Sequence, residues 1–307
     1  KRLMAGSTTA TEPVANRRVG IPLVLMAGIF WSLSGLVYRW IEVATAWQVL
    51  FYRSLSLFCF IALWLVLRYR GRLVGVFQSA GRLSVLGGLC LSIAFSGYIL
   101  ALDQTTVANA LFILAAAPFF AALLGRVLLS EHIRWTTSLA MGMAALGLAV
   151  MAGKELAIGR GLGELFALAA ALGLAGLTIT LRMRRSIDML PAILFASLFA
   201  TLFALTGMLW DGNSLILTPK DLSLSISLGV FQVGLGFMLY TAGSKHLPAV
   251  ELTLLSLTEV IVGPILAWLG ADEVPSVTTL AGGALILLAI VTLAVLGQRH
   301  HSAKTPH

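Results

Sequence analysis

Residues 253–264 have the sequence TLLSLTEVIVGP, in which Glu259 is the only charged residue. An apolar run of this kind is typical of a helix in hydrocarbon, where backbone N–H and C=O groups must bond within the segment. Counted from Pro248, Glu259 lies about 16 Å along such a helix, near the middle of a bilayer. Inserting an ionised carboxylate at that depth costs roughly 2.5–3.5 kcal/mol. We therefore expect Glu259 to face protein or a water-filled cavity instead of lipid.

The composition of the whole chain extends this interpretation. The protein has 307 residues, of which 59% are hydrophobic and only 11% charged, and its mean hydropathy is +0.95. Soluble domains of this length need more polar surface than this chain offers. The apolar runs last about 20 residues and lack the alternation of barrel strands, so they predict helices. The predicted fold class is an all-α integral membrane protein.

Glycine, proline and clusters of charge divide the chain into ten predicted transmembrane helices. Their boundaries are 20–40, 44–68, 82–101, 105–128, 134–153, 161–182, 187–210, 222–245, 248–270 and 276–297.

The basic residues predict how these helices are oriented. Only Arg39, Lys154, Arg160 and Lys220 fall on one side of the membrane, Arg53 falls inside the second helix, and every other Lys and Arg falls on the opposite side. The positive-inside rule makes the richer side cytoplasmic, so both termini are predicted to be cytoplasmic. The net charge of +8 is therefore explained by topology, and we predict no nucleic-acid partner. The tails are predicted at 1–19 and 298–307.

A shift of the chain against itself by 142 residues aligns the two halves. The identical residues that coincide include Phe95 with Phe237, Tyr98 with Tyr240, Glu131 with Glu273, Thr136 with Thr278 and Thr137 with Thr279. We call residues related by this shift repeat mates. The shift predicts a first five-helix repeat at 20–153, an outer loop at 154–160 and a second repeat at 161–297. Because five is odd, the second repeat must be inverted, the arrangement typical of secondary transporters with a midplane binding site.

Several of these segments resemble the drug/metabolite transporter superfamily, and most of all its ten-helix EamA-type permeases. The similar stretches are WSLSGLVYRW (31–40), WQVLFYRSLSLF (47–58), and the segments 98–131 and 240–273. The overall pattern is similar to bacterial exporters of aromatic and other amino acids. The resemblance implies a location in the bacterial inner membrane, a small-molecule substrate and contact with membrane lipid. The cysteines and histidines form no cluster in the sequence, so we predict no metal site and no cofactor, and the sequence predicts no oligomeric state.

The family pattern usually has Glu-Pro in the ninth helix, whereas this chain has Glu259 followed by Val260. Pro264 comes one turn later, so we expect the helix to bend at a different place from its relatives. Two interpretations of Glu259 remain open. It binds a proton or a substrate ammonium group during transport, or it braces the helix by hydrogen bonding to a neighbour.

Other side chains are candidates for the substrate cavity because they are polar or aromatic at membrane depth, or because they share a helical face with such a residue. For Trp31, Tyr98, Tyr240 and Gln232, packing between helices or an interfacial aromatic belt is the competing interpretation, and for Asn109 it is a role at the beginning of its helix. The predicted cavity residues are Trp31, Tyr98, Asn109, Phe112, Gln232, Tyr240, Ser256 and Glu259.

Three further charged residues match positions of the family pattern. Arg53 lies inside the second helix, where it either binds a substrate carboxylate or joins two helices; we favour the structural role. Glu131 and Glu273 end the fourth and ninth helices, so we predict that they act as gates or helix caps.

The chain lacks the sequence signatures of catalysis. It has no H-E-x-x-H, G-x-S-x-G or Walker A motif and no cluster of Cys and His, so we predict neither an enzyme nor an ATP-driven pump. The predicted function is export of amino acids by alternating access. The alternatives are a drug or quaternary-ammonium exporter, a passive channel and an intramembrane enzyme.

Overall fold

The computed structural model describes residues 17–69, 73–133, 135–157, 161–183 and 189–302, and within these ranges the chain is helical and has no strand. Segments that continue through one apolar run are numbered as one helix. The helices are α1 Arg17–Arg39, α2 Ala46–Tyr69, α3 Leu73–Gln104, α4 Val107–Leu129, α5 Trp135–Ala157, α6 Leu162–Met183, α7 Met189–Trp210, α8 Pro219–Ser244, α9 Ala249–Ala271 and α10 Val277–Ser302.

In the described part of the chain, nine helices are long and apolar enough to cross a membrane, and α5 is apolar over Trp135–Met151. In α3 the apolar span begins at Gly81, whose φ of 64° interrupts the helix. Large apolar side chains such as Leu128 and Leu209 are exposed on the outer surface, as lipid contact requires. The prediction of an all-α membrane protein is confirmed.

The predicted tails and loop fall partly outside the described residues. Residues 1–16, 158–160 and 303–307 are among those not described. The remaining parts are helical, since α1 begins at Arg17, α5 continues to Ala157 and α10 continues to Ser302.

Helix packing has an approximate two-fold relation that exchanges α1–α5 with α6–α10. Helix α1 packs on α8 and α9, and its counterpart α6 packs on α3 and α4 in the same way. Helix α2 packs on α8, and its counterpart α7 packs on α3. Three helices contact their own counterparts in the other repeat: α2 contacts α7, α4 contacts α9 and α5 contacts α10. The two repeats are therefore interlocked, and their interface passes through the centre of the molecule.

The ends of α4 and α9 show the repeat at the level of single residues. Ser130 and Asp272 are repeat mates, and they alone among the described non-glycine residues have positive φ, 55° and 53°. Each is followed by a glutamate whose N–H donates to a carbonyl in the last helical turns: Glu131 to Gly125 at 3.2 Å and Glu273 to Ala267 at 3.3 Å. These bonds satisfy carbonyl groups that a helix end leaves free.

Two helices depart from regular α-geometry beside the cavity described below. Helix α4 is interrupted at Ala115 and Ala116, because Pro118 has no N–H to donate to the carbonyl four residues earlier. Helix α8 is π-helical over Leu228–Leu235, and π segments are frequent at functional sites. Helix α9 runs through Pro264 without such a break.

Glycines let the backbones of neighbouring helices come into direct contact. A Cβ atom on Gly97 of α3 would lie 2.7 Å from the carbonyl oxygen of Phe166 in α6. Gly147 of α5 and Gly282 of α10 face each other in the same way. A Cβ atom on Gly147 would lie 2.6 Å from the carbonyl oxygen of Gly282, and a Cβ atom on Gly282 would lie 2.5 Å from the carbonyl oxygen of Gly147. In lipid, where helix association depends on van der Waals packing, such contacts hold the two repeats together.

Candidate functional site

A cavity of about 900 Å³ opens at the side of the molecule where α4 ends, which we call the Glu131 side. We call this cavity the vestibule and the opposite side of the molecule, where α9 ends, the Glu273 side. The mouth of the vestibule is lined by the ends of α4, α6 and α10 and by the beginnings of α5 and α9. Residues there include Glu131, Thr137, Arg182, Leu252 and Leu293.

The vestibule leads to a smaller pocket of about 230 Å³ between the two repeats, which we call the inner pocket. Trp31, Tyr240, Ser256 and Glu259 line both spaces. The inner pocket is bounded further by α2, α3, α6 and α8. Its other polar and aromatic lining residues are Arg53, Phe95, Tyr98, Gln232 and Phe237.

Glu259 lies on α9 where the vestibule meets the inner pocket, so its side chain faces a cavity and not lipid. Its electrostatic partner among the described residues is Arg53, but no ion pair within 4.0 Å joins the two side chains. The repeat mate of Glu259 is Ala117, which also lines the vestibule. The acidic group is therefore present in one repeat only, and the cavity is chemically asymmetric.

Arg53 lies on α2 in the wall of the inner pocket and is only 3% exposed. Its guanidinium carbon stands 5.1 Å from the centre of the Phe95 ring. Within the described part of the chain, Nε and Nη1 have no hydrogen-bond acceptor. A buried guanidinium with two free donors is unusual, because each unsatisfied buried donor costs about 1–3 kcal/mol.

Aromatic rings from both repeats form the apolar wall of the inner pocket. The Trp31 ring lies 5.2 Å from Phe237 and 5.4 Å from Tyr240, centre to centre. Phe95 and Phe237, which are repeat mates, contact each other at 6.3 Å. Trp31 can lie against α8 because Gly236 has no side chain; a Cβ there would be 2.3 Å from the indole nitrogen.

The two tyrosines that are repeat mates have different surroundings. Tyr98 is 5% exposed, and its hydroxyl pairs with Ser34 at 2.7 Å. Tyr240 is less buried and lies at the junction of the two cavities, which Ser256 also lines. Tyr240 is thus the one that a solute entering through the vestibule meets first.

Gln232 lies in the π-helical segment of α8, and its side chain lines the inner pocket. The residue is 7% exposed, and its Oε1 atom has no hydrogen-bond donor within the described ranges. Among the described residues, the pocket thus contains an acceptor on Gln232 and donors on Arg53 that have no partner.

Asn109 and Phe112 are not among the residues that line either cavity. Asn109 is buried on the Glu273 side, where its amide donates to Glu164 at 3.0 Å and accepts from Thr279 at 2.7 Å. Phe112 packs against α10 at Gly283, where a Cβ would lie 2.5 Å from the ring. The face of α4 that carries these two residues therefore contacts other helices.

The Glu273 side is closed by a network around Arg39. The Nε atom of Arg39 donates to Glu273 at 2.6 Å, and its two terminal nitrogens donate to the carbonyls of Leu102 and Thr105 at 2.6 and 2.7 Å. The other oxygen of Glu273 accepts from the N–H of Val107 at 2.5 Å. One ion pair thereby joins the end of α1, the α3–α4 connection and the end of α9.

The loop between α1 and α2 is fixed on the same side by Asp221, at the beginning of α8. Its carboxylate accepts the backbone N–H groups of Glu42, Val43 and Ala44 at 3.0 to 3.1 Å. Asp221 is fully buried, so these bonds replace its hydration and hold the loop over the closed end.

On the Glu131 side, Glu131 accepts one hydrogen bond, from Arg182 at 3.0 Å. Both side chains border the mouth of the vestibule and are nearly half exposed, 45% and 46%. A second ion pair on this side joins Glu251 of α9 to Arg17 of α1.

Sequence reasoning did not select Phe95, Phe237 or Glu164 for the site, and it favoured a structural role for Arg53. A signal existed for the two phenylalanines, since they coincide in the repeat alignment. Glu164 begins α6 in an otherwise apolar stretch, but nothing in its spacing indicates a neighbour on α4. No group of three or more His, Cys, Asp or Glu suited to a metal ion occurs among the described residues.

Comparison with known proteins agrees with this architecture. The sequence pattern of the EamA-like transporter family matches twice, at residues 18–153 and 161–295. The chain is 25% identical over 294 residues to the uncharacterized transporter YwfM of Bacillus subtilis, covering 92% of this chain and 96% of that protein. It is 22% identical over 277 residues to the pseudopaline exporter CntI of Pseudomonas aeruginosa, covering 90% and 95%.

A solved crystal structure shows the same fold. It is 20% identical in sequence and superposes with a TM-score of 0.62, covering 92% of this chain and 100% of that one.

Proposed function

The chain belongs to the EamA-like transporter family, and we propose that it exports amino acids, aromatic and other neutral ones among them. Transport is by alternating access across the bacterial inner membrane. The family and the named relatives make the chain a multi-pass membrane transporter. The substrate class, the direction and the membrane are our proposals.

One observation carries the proposal: among the described residues, a path runs from the Glu131 side to the centre of the molecule, and side-chain contacts close the opposite side. The vestibule and the inner pocket form this path, and the Arg39–Glu273 network closes the other side. A site at the centre of two inverted repeats, open to one side only, is what alternating access requires. The closed end also argues against a passive channel.

The distribution of basic residues supports the direction. Under the positive-inside rule, the Glu131 side is cytoplasmic. The vestibule is then open to the cytoplasm, so the structure corresponds to the state in which an exporter takes up its substrate.

The lining of the inner pocket supports an amino acid as substrate. Its volume of about 230 Å³ suits one small solute, and its walls combine aromatic rings with an acid, a guanidinium and an amide. Pockets that select small organic molecules have this composition of many apolar and few polar groups.

A second candidate is a quaternary-ammonium or other cationic drug. It is favoured by Glu259 lying beside the rings of Trp31 and Tyr240, since a carboxylate and aromatic faces both attract cations. Arg53 in the same pocket disfavours it, because a guanidinium repels a cation that carries no negative group.

The test is counterflow in proteoliposomes loaded with unlabelled phenylalanine, with labelled phenylalanine outside. We expect saturable uptake that depends on the internal amino acid and falls at least tenfold in Glu259→Gln. The matched control is Glu42→Gln, which removes an exposed carboxylate that pairs with Lys220 and should leave uptake unchanged.

Absence of uptake above that of empty liposomes, from protein shown to be folded, would contradict the amino-acid assignment. Counterflow of labelled benzyltrimethylammonium under the same conditions would then support the second candidate.

A further inference from the structure

We propose that Arg53 and Glu259 together form a zwitterion site, in which Arg53 binds the carboxylate and Glu259 the ammonium group of the same substrate molecule. The inference rests on the proposed amino-acid transport and deepens it. It assigns to Arg53 a specificity-determining contact with the substrate.

The first argument is that two nitrogens of Arg53 lack acceptors in the described part of the chain. Its side chain is almost completely buried, yet two of its nitrogens have no acceptor among the described residues. An arginine that only joined two helices would donate to a carbonyl or a carboxylate, as Arg39 does three times. Because a guanidinium matches a carboxylate in two-point geometry, a carboxylate is the group that best completes this site.

The second argument is that the position of Arg53 is fixed. Helices α2 and α8 touch at Gly229, where a Cβ would lie 2.2 Å from the carbonyl oxygen of Arg53. On the pocket side, the guanidinium rests over the Phe95 ring. The charge is therefore held at the pocket wall before any ligand arrives, which lowers the entropy lost on binding.

The third argument is the arrangement of opposite charges. Arg53 and Glu259 line the same pocket from different helices, near enough for electrostatic attraction, but they form no direct ion pair within 4.0 Å. A free amino acid carries the complementary charges on one carbon atom and can neutralise both walls at once. The free Oε1 of Gln232 is an additional acceptor for the ammonium group.

The fourth argument comes from the repeat. The mates of Arg53 and Glu259 are Phe195 and Ala117, which carry no charge. A role in holding the repeats together would be served equally well in both halves. A single pair of charges instead gives the pocket one polarity and so fixes one orientation of the bound zwitterion.

Three probes of similar shape separate the two charges: phenylalanine, 3-phenylpropionate, which lacks the ammonium group, and 2-phenylethylamine, which lacks the carboxylate. Dissociation constants are measured on the purified full chain from the rise of Tm with probe concentration. We expect the wild type to bind phenylalanine at least tenfold more tightly than either of the other probes.

In Arg53→Gln, binding of phenylalanine and of 3-phenylpropionate should weaken by about tenfold to a hundredfold, the range of charge-assisted hydrogen bonds. Binding of 2-phenylethylamine should change less than about twofold. Glu259→Gln should show the opposite pattern, with the amine weakened and the acid retained. Arg53→Lys should restore part of the preference for the carboxylate, since lysine keeps the charge but loses the two-point geometry.

Arg68→Gln is the matched control, because it removes an exposed arginine from the end of the same helix and should leave all three constants unchanged. If Arg53→Gln weakens all three probes equally, or none of them, while phenylalanine counterflow by the wild type persists, the zwitterion site is wrong and the proposed function stands. If the folded wild type neither binds nor transports phenylalanine, both are wrong.

Discussion

Each side of the molecule has an ion pair between an arginine and a glutamate, and the two pairs differ in their surroundings. On each side, a helix ends in a residue with left-handed backbone geometry, a glutamate follows, and an arginine from the end of α1 or α6 donates to it. At the Glu273 side, the side chains of Arg39 and Glu273 are 25% and 15% exposed and make three further bonds. At the Glu131 side, both partners are nearly half exposed.

A second pair of positions repeats the contrast. On the closed side, Thr279 of α10 donates to Asn109 of α4 at 2.7 Å. Their repeat mates are Thr137 of α5 and Glu251 of α9; Thr137 lines the open vestibule and Glu251 pairs with Arg17 instead. Closure of one side therefore depends on the contacts around the ion pair and not on the ion pair alone. Because the two halves are repeats, we expect the Glu131 side to gain such contacts and the Glu273 side to lose them during transport.

The largest effect is expected from cross-linking the closed side. In a background without Cys59 and Cys90, Asn109→Cys with Thr279→Cys should form a disulfide readily, because the two side chains touch. The cross-link should abolish counterflow, and reduction should restore it.

The mate pair Glu251→Cys with Thr137→Cys is the control, and it should cross-link only after the vestibule closes. Counterflow that persists with the Asn109 and Thr279 positions fully cross-linked would show that this contact does not open during transport.

Breaking the buried ion pair should have the next largest effect. Glu273→Gln should shift the equilibrium toward a state open at the Glu273 side by about 2 kcal/mol, or about thirtyfold. This value lies below the 3–5 kcal/mol of a fully buried pair because both side chains are partly exposed. The shift is measured by labelling a cysteine placed near Thr105 with a membrane-impermeant maleimide. An unchanged labelling rate would mean that the network does not hold this side closed.

Removing the hydroxyl of Thr279, which donates to Asn109 and also bonds the Ser276 hydroxyl at 2.8 Å, should have a smaller effect. Thr279→Val keeps the shape of the side chain but loses the bond to Asn109, so the same equilibrium should shift by about 1 kcal/mol, or about fivefold. Thr137→Val, at the mate position in the open vestibule, should leave it unchanged. Equal effects of the two substitutions would remove the distinction between the two sides.

The smallest effect is expected at Glu131. Because its ion pair with Arg182 is half exposed, Glu131→Gln should change the occupancy of the vestibule-open state by less than about 1 kcal/mol. The same maleimide assay measures it. An effect as large as that of Glu273→Gln would show that both ion pairs act as gates of equal strength in this state.

The helices were predictable because their cause is local. Hydropathy and charge determine which segments enter lipid, and the apolar spans of α1–α10 lie within a few residues of the predicted spans, although α3 itself begins earlier, at Leu73. The repeat was visible because mates such as Glu131 and Glu273 keep their identity.

The site was predictable only in part, because helical spacing shows which residues share a face but not which neighbour covers it. Asn109 and Phe112 share a face of α4, and that face meets other helices. Trp31, Tyr98, Gln232, Tyr240, Ser256 and Glu259 do line the cavities, and their contact with substrate stays a prediction. For Arg53, only the three-dimensional structure reveals that Nε and Nη1 have no acceptor among the residues described.

The central claim, that the vestibule is open to the cytoplasm and exchanges with the Glu273 side, is tested most directly by labelling two repeat mates. Thr137 lines the vestibule and Thr279 is 3% exposed. A cysteine at position 137 should react with an impermeant maleimide from the cytoplasmic side of vesicles, and a cysteine at position 279 should be protected. Phenylalanine added outside should slow the first reaction and speed the second from the outer side. Equal labelling of both positions from one side, with no response to phenylalanine, would contradict the account.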